Sequence, residues 1–144
     1  IIFLTDFIKS LPNNNIEINF RNNNVSAYIV ANKNKLAQVF YNIFDNSFSY
    51  SPSKSKILIN TIIKDENIIF HIVDQGSSIP LEFREKIFDR FYTDRLKDKD
   101  KHTGLGLSIS RKIIESFKGS INLIENNYEF YQGACFEIKL PLKG

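Results

Sequence analysis

From Leu36 to Ser47 the chain places Leu36, Val39, Phe40, Ile43, Phe44 and Ser47 at i, i+3, i+4, i+7, i+8 and i+11. An α-helix brings that set to one side, so the segment predicts a helix whose apolar stripe faces a core. Asn34 or Asn32 can cap its start. Gln38, Asn42 and Asn46 run down a different side at four-residue intervals, with Asn46 at the border of the stripe. A carboxamide on that border stands at the rim of a pocket. The helix therefore has to pack against a core while presenting polar groups beside it.

The other segments supply what such a helix packs on. Residues 2–11 have helical spacing and end before Pro12, and residues 16–20 alternate as a half-buried strand does, with 25–30 as a plausible partner. Two β-runs, 56–63 and 67–73, are joined by a polar turn at Asp65-Glu66. Residues 81–87 predict a short helix with Pro80 in its first turn. From Gly104 a helix carries Leu105, Ile109, Ile113 and Phe117 on one face and ends at Lys118-Gly119. Strands at 120–125 and 134–140 close the chain, the second with Ala134, Phe136, Ile138 and Leu140 inward. There are no repeats or low-complexity linkers. One α/β domain over residues 1–144, with helices on one face of a sheet, is the expected organisation.

Composition excludes several classes. The 144 residues suit one domain, at 42% apolar and 24% charged, ordinary values for a globular chain. A net charge of +3 is too small and too scattered for a nucleic-acid partner. No apolar run approaches the ~20 residues needed to span a bilayer, and no signal peptide is present. The first residue is Ile rather than Met, so the chain is expected to be a piece of a longer protein, whose membrane attachment stays open. A single cysteine, Cys135, rules out an intrachain disulfide and fits a reducing compartment; packing is its expected role. His71, in mid-strand, reads as structural. His102, in a polar loop, is either a phosphate contact or a solvated residue. Residues 93–103 hold seven charges and one leucine, which predicts a mobile loop.

Three places carry chemistry. The amide oxygen of Asn46 is a neutral hard ligand suited to Mg²⁺ whose charge a triphosphate already balances. Asn42, one turn away, can hold a water or orient the metal shell. Read blandly, both are helix-surface amides in an Asn-rich chain. Asp74 ends an apolar strand ahead of Gln-Gly; its carboxylate can accept from an exocyclic amine, which adenine has and guanine lacks at that position. Gly76 lets backbone approach a flat ring, although a plain strand-end turn favours the same residues. Gly104-Leu105-Gly106-Leu107 opens a helix where backbone N–H groups and the helix terminus favour an anion, and Thr103 can add a hydroxyl. The spacing matches neither a P-loop nor the dinucleotide fingerprint; a simple helix start remains the alternative.

Together and in this order, the motifs resemble the catalytic and ATP-binding domain of sensor histidine kinases, within the Bergerat-fold (GHKL) superfamily of gyrase, Hsp90 and MutL ATPases. QVFYNIFDNSFSYSP (38–52) looks like the asparagine box, VDQGSSIP (73–80) the first glycine box and IFDRFY (87–92) the phenylalanine box. HTGLGLSIS (102–110) resembles the second glycine box and GACFEIKLPL (133–142) the closing strand. The resemblance covers about residues 1–142. It implies an α/β sandwich of the α+β kind, a mixed and mostly antiparallel sheet with helices on one face, and ATP held between helix and lid. By the same resemblance Asn46 takes the magnesium position and Asn42 the companion polar one, with Arg90 near the phosphates or the partner domain as the third catalytic candidate. Tyr50 would close on the nucleotide, Asp74 and Gly76 would contact the adenine, and Ile79 would join the ATP-binding residues. Phe88 and Phe91 would anchor a flexible lid at 93–103. Phe91 and the run Thr103, Gly104, Leu105, Gly106 and Leu107 would complete the ATP contacts.

Three departures stand out. Ser49 replaces a frequent phosphate-contacting lysine, a loss that Arg95, Lys97, Lys99 or Lys101 could offset. Ser78 replaces the second glycine of the first box; a positive φ there would cost on the order of 1 kcal/mol. Lys101-His102 replaces the small residues often found before the second box. Gyrase-like and Hsp90-like relatives carry a water-activating glutamate at the position of Asn42, and an amide is no base. The resemblance therefore implies Mg²⁺-ATP held for a histidine on a separate dimerisation domain, in a homodimeric parent that serves a cognate response regulator. It further implies a cytoplasmic domain of a parent anchored in the bacterial inner membrane. His71 and His102 are poor phosphoacceptors. Two alternatives stay open: an anti-sigma-factor serine kinase of the same fold, and a degenerate module that binds partners without nucleotide.

Overall fold

A computed structural model describes residues 17–21, 29–50, 56–76, 78–89 and 106–142, with backbone alone at 17–21 and 48–50. Among the described residues five strands form one sheet: β1 (Glu17–Arg21), β2 (Lys56–Lys64), β3 (Asn67–Val73), β4 (Ser120–Ile124) and β5 (Cys135–Pro141). Their order is β1-β2-β3-β5-β4. β1 runs parallel to β2, and the other pairs are antiparallel. Parallel neighbours need a crossover, and here the connection carries helix α1 (Lys33–Tyr50). A second helix, α2 (Gly106–Ser116), packs beside α1 over the same core. The mixed, mostly antiparallel sheet with helices on one face is the architecture the motifs imply.

The stripe on α1 lands as its spacing predicts. Leu36, Val39, Phe40, Ile43, Phe44 and Ser47 are all buried. Phe40 meets Phe70 of β3 edge-on with centroids 5.4 Å apart, a favoured aromatic geometry. Asn32, rather than Asn34, is the cap: its Oδ1 accepts from Lys35 N at 3.0 Å. The β2–β3 turn is tight, with Asp65 at φ 52 and Glu66 at φ 63, the left-handed pair that a two-residue hairpin demands.

Several expectations need correction. The strand expected at 16–20 is β1, and it pairs with β2; of the partner expected at 25–30, residues 29 and 30 lie outside any strand. The rest of that partner, and the helix expected at 2–11, fall outside the described residues. Residues 81–87 form no α-helix but two 3-10 turns, Leu81–Phe83 and Lys86–Phe88. Pro80 before them is extended at φ −56 and ψ 146, and only Ile87 and Phe88 are buried; a helix there would have no continuous stripe to bury. On α2 the buried residues are Ser108, Ser110, Ile113 and Ile114, while Ile109 is 37% exposed. The helix is rolled so that its small residues meet α1. It ends as expected, with Lys118 at φ 63 and Gly119 N donating to Ile114 O at 3.0 Å. A Cβ on Gly119 would stand 2.3 Å from Lys139 O, so only glycine fits.

The opposite face of the sheet carries a smaller cluster of Leu58, Val73 and Cys135 under Ile124, Tyr128 and Tyr131. Beside it Asn60 Nδ2 donates to Tyr128 Oη at 2.8 Å, leaving the phenol proton for His71 Nδ1 at 2.6 Å. His71 Nε2–H then points at Glu137 Oε2, 2.9 Å away. His71 is therefore a structural residue. Burial, and secondarily the charges of Glu137 and Asp74, push the Cys135 thiol up to about 12, far from the reactive thiolate range. No helix among the described residues is long and apolar enough to cross a membrane.

Candidate nucleotide site

Asn42 and Asn46 share one side of α1 but do different things. Asn42 is half-buried, and its Nδ2 donates to Gly106 O at 3.1 Å and to Ser110 Oγ at 3.1 Å. Ser110 Oγ in turn donates to Gly106 O at 2.8 Å. One carboxamide thus ties α1 to the first turn of α2, the segment that follows the Gly-Leu-Gly pattern. Asn46 is also half-buried, and among the described residues nothing engages its amide.

Asp74 closes β3 and is 3% exposed. Its Oδ1 accepts from Gly76 N at 2.9 Å and Ala134 N at 3.1 Å. Its own backbone pairs with the start of β5: Asp74 N donates to Ala134 O at 3.2 Å, and Gly133 N donates to Asp74 O at 2.9 Å. Both amides fall on one carboxylate oxygen, Oδ1. Burial holds the Asp74 carboxyl above its ordinary value, and the two backbone bonds and nearby Ser47 offset part of the rise. Gly133 is the residue that sequence reasoning missed. A Cβ there would stand 1.9 Å from Asp74 Oδ1 and 2.7 Å from Gly76 N. Nothing local marks it, because the contact joins segments about sixty residues apart.

The Asp-Gln-Gly turn is also braced from outside. Gln75 Oε1 accepts from Lys56 N at 2.7 Å, and Gln75 Nε2 donates to Phe130 O at 2.7 Å. Asn126 Nδ2 holds the same β4–β5 loop through Gly133 O at 2.9 Å and through Tyr131 O. Ser78 is absent from the described residues with positive φ, so the strain expected of a serine in the second glycine position does not arise. Ile79 and Leu107 are partly buried against the main core.

Phe88 is buried and meets Phe136 edge-on at 6.3 Å. The Arg111 guanidinium lies 3.9 Å from the Phe88 ring centroid, pairs with Glu85, and reaches Ile121 O at 3.1 Å and Asn122 Oδ1 at 3.0 Å. Arg111 holds the Glu85 carboxyl below its usual range. This side chain, also missed in the sequence, fastens the 3-10 segment to α2 and β4. Arg90, Phe91, the 93–103 segment, His102, Thr103, Gly104 and Leu105 lie outside the described residues, as do the side chains of Ser49 and Tyr50.

Among the described residues no group of three or more His, Cys, Asp or Glu side chains could hold a metal. The fold is a helix-on-sheet domain with a carboxylate braced by main chain at one strand end. Residues 31–144 match the family model described as histidine kinase-, DNA gyrase B-, and HSP90-like ATPase. Histidine kinase P4 of Formosa agariphila is 32% identical over 141 residues, covering 94% of this chain and 10% of that protein. The mycobacterial sensor histidine kinase MprB superposes with a TM-score of 0.82 at 20% identity, over 99% of this chain and 93% of that one, a likeness of fold. Histidine kinase ThkA, solved in complex with the response regulator protein TrrA, matches with a TM-score of 0.75 and 28% identity, over 99% and 39% of the two chains. The chain belongs to this ATPase family, as a catalytic and ATP-binding domain of the sensor histidine kinase type. It spans 10% to 27% of the length of the curated relatives it matches.

Proposed function

We propose that this domain holds Mg²⁺-ATP and donates the γ-phosphoryl group to a histidine on a separate dimerisation domain of a longer, homodimeric protein. In that reading residues 1–144 form one module at the C-terminal end of the parent, and 93–103 act as the lid. The imidazole nitrogen forms the new bond to the γ-phosphorus while the bond to the bridging oxygen breaks and ADP leaves. Mg²⁺ would supply charge neutralisation on the phosphates. Asn46 would hold it through its amide oxygen, Asp74 Oδ2 would accept from the adenine amine, and Gly76 would admit the ring. Tyr50, Ile79 and Phe91 would enclose the base. Thr103, Gly104, Leu105, Gly106 and Leu107 would cradle the phosphates, with Arg90 nearby.

The observation that carries this reading is the commitment of Asn42. Its amide donates to Gly106 O and Ser110 Oγ, so the position offers a clamp and no base to activate water. Such a site suits an external nucleophile. The match to a kinase solved with a response regulator supports a response regulator as the downstream acceptor. Radiolabelled ATP tests the proposal: the domain alone should bind ATP with Mg²⁺ but neither hydrolyse it appreciably nor label itself. Adding the parent's acceptor domain should give an acid-labile, base-stable phosphohistidine. Robust hydrolysis by the domain alone would overturn it.

A further inference from the structure

We propose that Asn126 is a positioning residue for the nucleobase, acting on Asp74 through the one peptide group that joins Gly133 to Ala134; this deepens the ATP reading above and rests on it. Asn126 lies just past β4 and is half-buried. Its Nδ2 carries two hydrogens, and both go to the far side of the same loop, one to Tyr131 O and one to Gly133 O at 2.9 Å. Its Oδ1 accepts from Tyr128 N at 2.9 Å, a local turn that sets the direction of the side chain. The carbonyl of Gly133 shares a peptide plane with the N–H of Ala134, and that N–H donates to Asp74 Oδ1 at 3.1 Å. A continuous chain of hydrogen bonds therefore runs from Asn126 Nδ2 across one peptide to the buried carboxylate.

Two properties give this chain a consequence for binding. A peptide that follows glycine turns over at little steric cost, and turned over it would set a carbonyl oxygen, not an N–H, against Asp74. The donor from Asn126 holds that carbonyl where it is. Hydrogen bonds in series also polarise one another, so the same donor strengthens the Ala134 bond, which opposes the upward pull of burial on the Asp74 carboxyl. The other amide on Oδ1, Gly76 N, comes from Asp74's own turn two residues on. Only the Ala134 bond depends on a distant segment. In the proposed site an oriented, charged Asp74 accepts from the exocyclic amine of adenine, and a purine without that amine gains nothing from it.

Titrating the 144-residue chain with Mg²⁺-ATP and with purine riboside triphosphate, which lacks the amine, tests this. The parent should prefer ATP, and Asn126→Ala should narrow that preference about two- to tenfold, the worth of one neutral hydrogen bond, through weaker ATP. Asn126→Asp keeps the side-chain volume and the bond from Tyr128 N but offers no donor at neutral pH. It should narrow the ratio likewise, and it guards against an alanine variant that fails to fold. The Ala134 amide proton gives a second readout, moving upfield in nucleotide-free NMR spectra of both variants as its hydrogen bond weakens. A merely structural asparagine would lower the melting temperature and weaken both nucleotides by the same factor; that result, or an unmoved Ala134 amide, would overturn the inference. ATP binding with an unchanged ratio would overturn it alone, whereas no ATP binding by the parent would sink the ATP reading as well.

Discussion

The two ends of the candidate site are held by different means. At the base end, Asp74 is fixed by main chain: two amides on Oδ1, two backbone bonds to β5, and no spare room beside Gly133. At the phosphate end, one side chain, Asn42, joins α1 to α2, and a Cβ on Gly106 would meet only ordinary clearance, 3.5 Å from Asn42 Cγ. A backbone-built site inherits the rigidity of the sheet and tolerates little change. A seam that leans on the hydrogen bonds of one carboxamide can shift more readily, which would suit the end that the proposed function gives to the phosphates.

The strongest way to break this comparison is Gly133→Ala. The new methyl would collide with Asp74 Oδ1, so the variant should lose about 2–4 kcal/mol of stability by overpacking, together with ATP binding. Denaturant unfolding checks it, and native stability would falsify the rigidity assigned to the base end.

Asp74→Asn probes the same end without the clash. The amide oxygen can keep the two backbone bonds, but the group facing the purine changes, so ATP affinity should fall about ten- to hundredfold and discrimination against GTP should narrow. Burial raises the Asp74 pKa above 3.8, so the folded chain holds that proton more tightly than the unfolded chain. Its contribution is full below about pH 4 and declines as pH rises through the folded value. The wild type should therefore lose stability relative to Asp74→Asn between acidic and neutral pH. Paired unfolding curves at the two pH values read this difference, and a parallel pair would contradict it.

The asparagines sharpen the other end. Asn46→Ala should remove about tenfold or more of Mg²⁺-dependent ATP affinity while leaving stability near wild type, since no described residue engages its amide. Titrations with and without Mg²⁺ check this. Asn42→Ala should do the reverse in proportion, costing roughly 1–2 kcal/mol of stability for two lost hydrogen bonds and weakening ATP only through the loosened seam. If both variants behaved alike, the division between clamp and ligand would be wrong.

What could be read in advance was local. The α1 stripe, the one-turn spacing of Asn42 and Asn46, the carboxylate at the end of β3 and the alternation of β5 are repeats of the chain's own geometry, so they survive without knowledge of the fold. The roll of α2 that buries Ser110 and exposes Ile109, the parallel pairing of β1 with β2, the pressure of Gly133 on Asp74 and the Arg111 clamp were not legible. Each depends on which surface meets which across tens of residues, and steric fit between distant segments makes that choice. Periodicity determined which residues of α1 and β5 face inward; packing decided what they face and which way α2 is rolled.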